Sequence, residues 1–191
     1  MIGVTMTQLS LKKGTNSKSA YNIRNPTSGS PAPHTLTILV DNEAGVLARV
    51  IGLFSGRGYN IDSLTVAEVD HSGKRSRITI VTIGTLAIIE QIKAQIGRIV
   101  PVHQVNDLTM EGQPVERELA LLKVNGKGDK RVESLRLADV FRANVVDSTL
   151  DSFTFELTGS SEKIDAFTDL MRPLGLSDLA RTGVVALSRG N

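Results

Sequence analysis

The chain has 191 residues, of which 40% are hydrophobic and 22% are charged, and its formal net charge is +2. Such a composition is typical of a soluble globular protein with one compact domain or two small ones. No apolar stretch approaches the roughly 20 residues that a membrane-spanning helix needs. Because the chain contains no cysteine, a disulfide framework, a thiolate metal site and a cysteine nucleophile are also excluded.

Positive charge is concentrated at the start of the chain. Residues 1–33 contain four basic residues, Lys12, Lys13, Lys18 and Arg24, and no acidic residue. The remainder of the chain therefore carries a net charge of −2. Since nucleic-acid binding requires a basic surface and usually aromatic side chains for stacking, a slightly acidic body with 4% aromatic residues predicts no nucleic-acid partner.

The same N-terminal segment, residues 1–33, is rich in Ser, Thr, Asn, Gly and Pro and poor in large apolar residues. This composition predicts a disordered extension. An acid-free, hydroxylated segment is also compatible with an organellar transit peptide, but four basic residues without a clear amphipathic stripe favour a plain extension. We therefore expect a cytoplasmic protein, with organellar targeting as the alternative.

From residue 34 onward, apolar residues recur at every second position in strand-like runs and at steps of three and four in helix-like runs. The first half predicts a strand at residues 35–40, a helix at 46–54, strands at 61–69 and 77–83, a helix at 86–99 and a strand at 100–108. The order of elements is β-α-β-β-α-β, in which the two central strands form a hairpin.

After a break at residues 112–114 the same order returns. The second half predicts a strand at residues 118–124, a helix at 132–141, strands at 145–150 and 153–157, a helix at 164–174 and a last strand at 177–187. The fold class is therefore α+β, with two tandem ferredoxin-like βαββαβ units at residues 34–109 and 117–191 and a linker at 110–116. In each unit, two helices are expected to cover one face of a four-stranded antiparallel sheet.

An open sheet face and a free edge strand are liabilities in a monomer, because both invite pairing with another chain. We therefore predict a homodimer from the fold alone.

Catalytic groups are poorly represented. The three histidines, His34, His71 and His103, fall at a strand start, a hairpin tip and a strand, without metal-ligand spacing. They are interpreted as surface or structural residues, and the Gly-x-Gly sequences at residues 56–58 and 126–128 as helix-terminal turns, since neither continues into a phosphate-binding motif. The sequence predicts no catalytic residue and no metal site.

The first strand-to-helix loop is the informative segment. Free N–H groups at a helix start, with the positive end of the helix dipole behind them, bind carboxylates, and Gly45 would let a ligand approach the backbone. The Asn42 amide could accept a hydrogen bond from an ammonium group, and Val46 and Leu47 could line an apolar pocket. The loop could thus hold an α-amino acid. Asp41 and Asn42 could equally be ordinary helix caps, and the residues alone leave that alternative open.

A family resemblance spans the body of the chain. Its longest segment begins Leu-Val-Asp-Asn-Glu-Ala-Gly-Val-Leu at residue 39 and continues to residue 67, and shorter segments lie at residues 76–79, 115–119, 181–184 and 188–190. Through these segments the chain, from residue 34 to residue 191, resembles the small, regulatory subunit of acetolactate synthase (acetohydroxyacid synthase), the enzyme that commits pyruvate to branched-chain amino-acid synthesis.

The resemblance implies that residues 34–109 form an ACT domain, a module that binds free amino acids, and that valine is the usual effector. In this family the effector lies between two ACT domains that pair side by side in a homodimer. The matching positions that would hold valine are Asn42, Ala44, Gly45, Val46 and Leu47 from one chain and Asn60 and Ile61 from its partner. Leucine or isoleucine would fit a similar pocket, and Asn60 on its own would be interpreted as a turn residue.

The resemblance also implies a catalytic partner, the large subunit, which carries thiamine diphosphate, Mg²⁺ and flavin (FAD). This chain has no Gly-Asp-Gly…Asn-Asn thiamine signature, so we expect no cofactor in it and no catalysis by it alone. It would activate the large subunit and confer feedback inhibition by valine. The corresponding loop of the second half, residues 125–129, lacks the Asn-x-x-Gly-apolar motif, and the family pattern assigns residues 117–191 to association with the large subunit.

Overall fold

The computed structural model describes residues 29–190, so most of the predicted disordered extension, residues 1–28, lies outside the described range. The first of two consecutive units contains β1 (Ala32–Asp41), α1 (Val46–Ser55), β2 (Ser63–Asp70), β3 (Arg75–Gly84), α2 (Leu86–Ile96) and β4 (Val102–Asp107). Its strands form an antiparallel sheet in the order β2-β3-β1-β4.

The second unit contains β5 (Val115–Asn125), α3 (Asp129–Phe141), β6 (Asn144–Ser148), β7 (Ser152–Gly159), α4 (Ser161–Met171), a 3₁₀ turn (Arg172–Leu174), β8 (Leu176–Arg181) and β9 (Val185–Leu187). Its sheet has the order β6-β7-β5-β8, and β9 pairs with the start of β5. The predicted α+β fold with two ferredoxin-like units is confirmed. No helix in the described part of the chain is long and apolar enough to span a membrane.

The apolar periodicity explains why these elements form one core in each unit. In α1, Val46, Val50 and Phe54 recur at steps of four, so they share one face of the helix and are buried. They pack against alternate residues of the central strands β1 and β3. In the second unit, the ring of Phe167 on α4 lies 6.1 Å from that of Phe155 on β7. Each sheet thus has one face covered by its own two helices.

The last predicted strand, residues 177–187, is in fact two strands. Gly183 adopts a left-handed conformation with φ of +83°, which breaks the strand after β8. The chain then turns, and β9 pairs with residues 115–117 at the start of β5. The apolar pattern could not reveal this break, because residues 184–187 are all apolar and continue the strand-like run.

The first unit also begins earlier than predicted. Ala32 and Pro33, expected in the disordered extension, belong to β1 and pair with Gly84 and Ile83 of β3. Proline is tolerated there because β4 pairs with β1 only from Leu36 onward, so one side of the strand is free at Pro33. In the segment expected as a linker, residues 115–116 already lie in β5.

The second unit covers part of the sheet face that was expected to stay open. Val184, just before β9, and Ala186, within β9, pack with Leu108 and with Val81 of β3. At the other side of this contact, the Thr35 hydroxyl donates a hydrogen bond to Glu116, with 2.6 Å between the oxygens. The two units are therefore joined by a small apolar cluster and a few hydrogen bonds.

A partly buried ion pair fixes the chain just before the break at Gly183. Glu118 on β5 has a side chain that is only 5% exposed, and Arg181 on β8 donates to both of its carboxylate oxygens over 2.7 and 2.6 Å. Arg181 also donates to Asp165 on α4 over 2.6 Å. The hydrogen bonds from Arg181 hold the pKa of Glu118 below its ordinary value of 4.5, and those to Glu118 and Asp165 raise the pKa of Arg181.

We expect Glu118→Gln to lower the free energy of unfolding at pH 7 by about 2 kcal/mol, because Arg181 loses the charge of its buried carboxylate partner. The lowered pKa means that the pair stabilises the fold above pH 4.5 and that this contribution is lost as the pH falls through the lower, folded-state pKa. Urea denaturation of the wild type and the variant should therefore converge on acidification.

The matched control is Glu133→Gln on α3, where the carboxylate is exposed and lies 3.5 Å from Arg136. It should change stability little at either pH. A Glu118→Gln penalty that is absent at pH 7, or equally large at low pH, would contradict the assigned role of the pair.

Candidate functional site

The loop between β1 and α1 has a fixed backbone and exposed side chains. The Asn42 N–H donates to the Lys74 carbonyl over 2.7 Å, which ties the loop to the β2–β3 hairpin, and the Glu43 N–H donates to the Asp41 carbonyl over 3.0 Å. Asn42, Ala44 and Gly45 are exposed at the surface of the single chain. Among the described residues, no hydrogen bond engages the Asn42 amide side chain.

The helix that follows has no side-chain cap. The alternative interpretation of Asp41 and Asn42 as caps is therefore wrong: the Asp41 carboxylate instead lies 2.6 Å from His103 Nε2, away from the helix start. The cap position is taken by Gly45, which has φ of +86° and ψ of −7°. A side chain is strained in this left-handed conformation, although the space around the Cβ position of Gly45 is empty.

This start of α1 is suited to an anionic group. Within the described chain, no acceptor is hydrogen-bonded to the N–H groups of Leu47 and Ala48, and the positive end of the helix dipole adds to their field. The absence of a side chain at Gly45 leaves the backbone open to approach. Val46 is buried and Leu47 is half-buried against the core, so an apolar surface adjoins the polar groups.

The charged side chains next to the loop are already paired. Arg49 on α1 donates to Glu43 over 2.6 Å, and both side chains are about half exposed. Asp41 is paired with His103. The described residues contain no cluster of three or more His, Asp or Glu side chains that could hold a metal ion. What remains available at the loop is a set of N–H donors, one amide and an apolar surface, which is a set that can bind the two charged groups of an amino acid.

The predicted partner half of the site, Asn60 and Ile61, is held in place before β2. The Thr82 hydroxyl donates to the Asn60 carbonyl over 2.6 Å, and the Asp62 N–H donates to the Val81 carbonyl over 2.9 Å. The Asn60 amide donates to the Asp62 carboxylate over 2.5 Å. Sequence reasoning missed Thr82 and Val81, because their role arises from strand register and has no local sequence signal.

A single chain does not bring the two halves of the candidate site together. Asp41, the last residue of β1, and Asp70, the last residue of β2, both pair with Arg75. The two strands therefore finish at the same end of the sheet. Asn60 and Ile61 precede the opposite end of β2. Because a strand rises by about 3.3 Å per residue, the two ends of this eight-residue strand lie about 23 Å apart. Antiparallel pairing of two β2 strands would bring the partner's strand start to the Asn42 end.

The corresponding loop of the second unit has a different chemistry. Lys127 lies 2.9 Å from Asp151, and Arg131 at the start of α3 donates to the Thr149 carbonyl while its guanidinium stacks 3.7 Å above the Phe153 ring. Basic side chains of the unit itself thus surround this helix start.

Comparison with known proteins agrees with the fold and the motifs. Residues 36–104 match the family described as AHAS small subunit-like ACT domain, and residues 117–190 match the family described as small subunit of acetolactate synthase. A protein of Archaeoglobus fulgidus named as a probable acetolactate synthase small subunit is 46% identical over 158 residues, which cover 83% of this chain and 98% of that protein. The acetolactate synthase isozyme 3 small subunit of Escherichia coli is 45% identical over 82% of this chain and 95% of its own length.

The solved structures lead to the same family. The crystal structure of the acetolactate synthase small subunit from Thermotoga maritima superposes with a TM-score of 0.76 at 37% sequence identity, covering 84% of this chain and 99% of that one. The likeness therefore extends over both units and their arrangement. The chain belongs to the acetolactate synthase small-subunit family.

Proposed function

We propose that this chain is a regulatory subunit that raises the activity of the large catalytic subunit of acetolactate synthase and makes it sensitive to feedback inhibition by valine. The large subunit carries out the reaction, which joins two pyruvate molecules to give 2-acetolactate and CO₂. Membership of the small-subunit family and the ACT-domain match at residues 36–104 support this proposal. The structural observation that supports the proposal most strongly is the start of α1 after Gly45, which has no side-chain cap.

At that position valine would be bound through both of its charged groups. Its carboxylate would accept hydrogen bonds from the free N–H groups at the helix start, and its ammonium group would donate to the Asn42 amide oxygen. The isopropyl group would contact Val46 and Leu47, with Ala44 and Gly45 leaving room for the ligand. Leucine and isoleucine share the head group and differ only in the apolar part, so discrimination among them depends on the shape of that pocket.

The partner half of the site, Asn60 and Ile61, would come from a second chain paired through β2. Each four-stranded sheet has two edge strands, β2 and β4 in the first unit and β6 and β8 in the second. The edge strands of the two hairpins, β2 and β6, differ in regularity. The register of β2 shifts only at its far end, between Glu68 and Asp70, whereas that of β6 shifts in the middle, between Val145 and Asp147. A bulge in the middle of an edge twists it away from continuous pairing. Strand β2 therefore offers a better edge for a homodimer than β6.

Valine can oppose activation only by binding more tightly to one arrangement of the dimer than to another. Activation requires the large subunit to prefer the opposite arrangement. By linkage, if valine weakens productive association with the large subunit, that association must weaken valine binding by the same factor. The second unit, residues 117–191, is proposed to take part in this association.

Two substitutions test the site. Asn42→Ala removes the acceptor for the ammonium group, and Gly45→Asp adds both a strained side chain and a negative charge beside the bound carboxylate. Each should weaken valine binding by about tenfold or more and abolish valine inhibition, while activation of the large subunit stays largely intact. Calorimetry with valine and assays of acetolactate formation measure the two effects separately.

The matched control is Gly52→Ala, a glycine inside α1 whose added Cβ would meet nothing within 4 Å. It should leave both valine binding and activation unchanged. If Asn42→Ala and Gly45→Asp retain wild-type valine sensitivity, the site assignment is wrong. If the wild-type chain binds valine but never activates the large subunit, the protein is a free-standing amino-acid sensor instead.

The dimer edge has its own test. Val66 lies within the regular part of β2 and is 42% exposed, and Val145 is an edge valine of similar exposure, 45%, next to the register shift of β6. Val66→Lys would bring two like charges together across paired β2 strands and should shift the protein towards monomer, whereas Val145→Lys should not. Analytical ultracentrifugation measures the difference, and equal dissociation of both variants, or of neither, would contradict pairing through β2.

A further inference from the structure

Strand β2, which follows Asn60 and Ile61, is hydrogen-bonded directly to the second unit. The Val184 N–H donates to the Ser63 hydroxyl over 2.7 Å, and the Thr65 hydroxyl donates to the Val184 carbonyl over 2.9 Å. Ser63 and Thr65 are alternate residues of β2, so their side chains lie on the same sheet face. A single residue of the second unit is thus held by both of its backbone polar groups.

The backbone at this contact has no room for a side chain. A Cβ on Gly183 would lie 2.8 Å from the Ser63 hydroxyl oxygen and 3.2 Å from that of Thr65. Its φ of +83° also disfavours any other residue. On the other side, Gly183 lies two residues after Arg181, which is fixed by its ion pair with the buried Glu118. The contact therefore connects β2 to a rigid part of the second unit.

This contact lies close to Asn60 and Ile61, which are proposed to bind the effector. Ser63 follows Ile61 by two residues, and the Asp62 N–H between them is held by the Val81 carbonyl. The Val81 side chain in turn packs with Val184 and Ala186. A displacement at residues 60–61 would reach Val184 both along β2 and through Val81.

Clefts flank this contact on two sides. A cleft of about 480 Å³ opens on one side, lined by residues that include Leu64 and Ser161. A second cleft, of about 500 Å³, includes Thr35 and Glu116. Both clefts are lined by Val81, Ser161 and Val184, so these three residues lie between them. A narrow contact between two clefts lets small shifts change the relative orientation of the units.

We propose that Ser63 and Thr65 are positioning residues that couple the effector site to the second unit through Val184. This inference rests on the proposed regulation by valine. It specifies the residues through which valine binding acts on the second unit. Effector bound against Asn60 and Ile61 changes the position of the start of β2, and the two hydroxyl bonds transfer that change to Val184 and to the segment fixed by Arg181. Removing the hydroxyls should therefore separate valine binding from valine inhibition.

The test is the double variant Ser63→Ala/Thr65→Val in the full-length chain, assayed with the large subunit. Valine affinity by calorimetry should stay within about threefold of wild type, while the valine concentration for half-inhibition should rise by about tenfold, a typical allosteric coupling factor. Hydrogen exchange adds a direct signal, because the Val184 N–H is the donor to Ser63. Valine should change exchange in residues 183–187 of the wild type and not in the variant.

Two control variants distinguish a lost hydroxyl from a disturbed fold. The single variant Thr65→Ser keeps both hydroxyls of the contact and should show wild-type inhibition by valine. Thr37→Val makes the same chemical change on the same face of the first sheet, at a residue whose hydroxyl has no hydrogen bond among the described residues, and should leave inhibition unchanged.

Unchanged inhibition and unchanged hydrogen exchange in the double variant would overturn the coupling route. A loss of valine affinity that matches the loss of inhibition would also overturn it, because the residues would then act on binding itself. A wild-type chain that binds no valine in calorimetry would instead refute the proposed function, and with it this inference.

Discussion

The antiparallel register of β2, β3 and β1 is the constraint on which the functional account depends. Since Asp41 and Asp70 both pair with Arg75, the loop after β1 and the loop before β2 must lie at opposite ends of one sheet. In the proposed site, both loops contact the effector. A single chain would then supply only half of each site, and an antiparallel pair of β2 strands would complete two of them. In this proposal, dimerisation and effector binding both depend on the same register.

The chemistry of the site follows from what the helix start lacks. An ordinary α-helix uses a Ser, Thr, Asp or Asn side chain to bind its first N–H groups. Here Asp41 is turned towards His103, and a left-handed Gly45 occupies the cap position. The donors that a cap would satisfy remain available, so the same feature that weakens α1 as an isolated helix suits it to an external carboxylate.

Local sequence patterns predicted the elements up to the last strand, but not its division into β8 and β9 and not the contacts between the units. The helical spacing of Val46, Val50 and Phe54 predicted α1, and Gly45 stood out as a position open to a ligand. The break at Gly183 and the bonds from Ser63 and Thr65 to Val184 could not be predicted. These residues are about 120 positions apart, and contacts over such a separation depend on how two complete units pack.

The most direct test is the rate of acetolactate formation by the cognate large subunit, measured with and without this chain and titrated with valine. We predict that the chain raises the rate and that valine reverses the increase. Activation that valine leaves untouched would contradict feedback regulation, and a rate that the chain does not change at all would contradict the regulatory role itself.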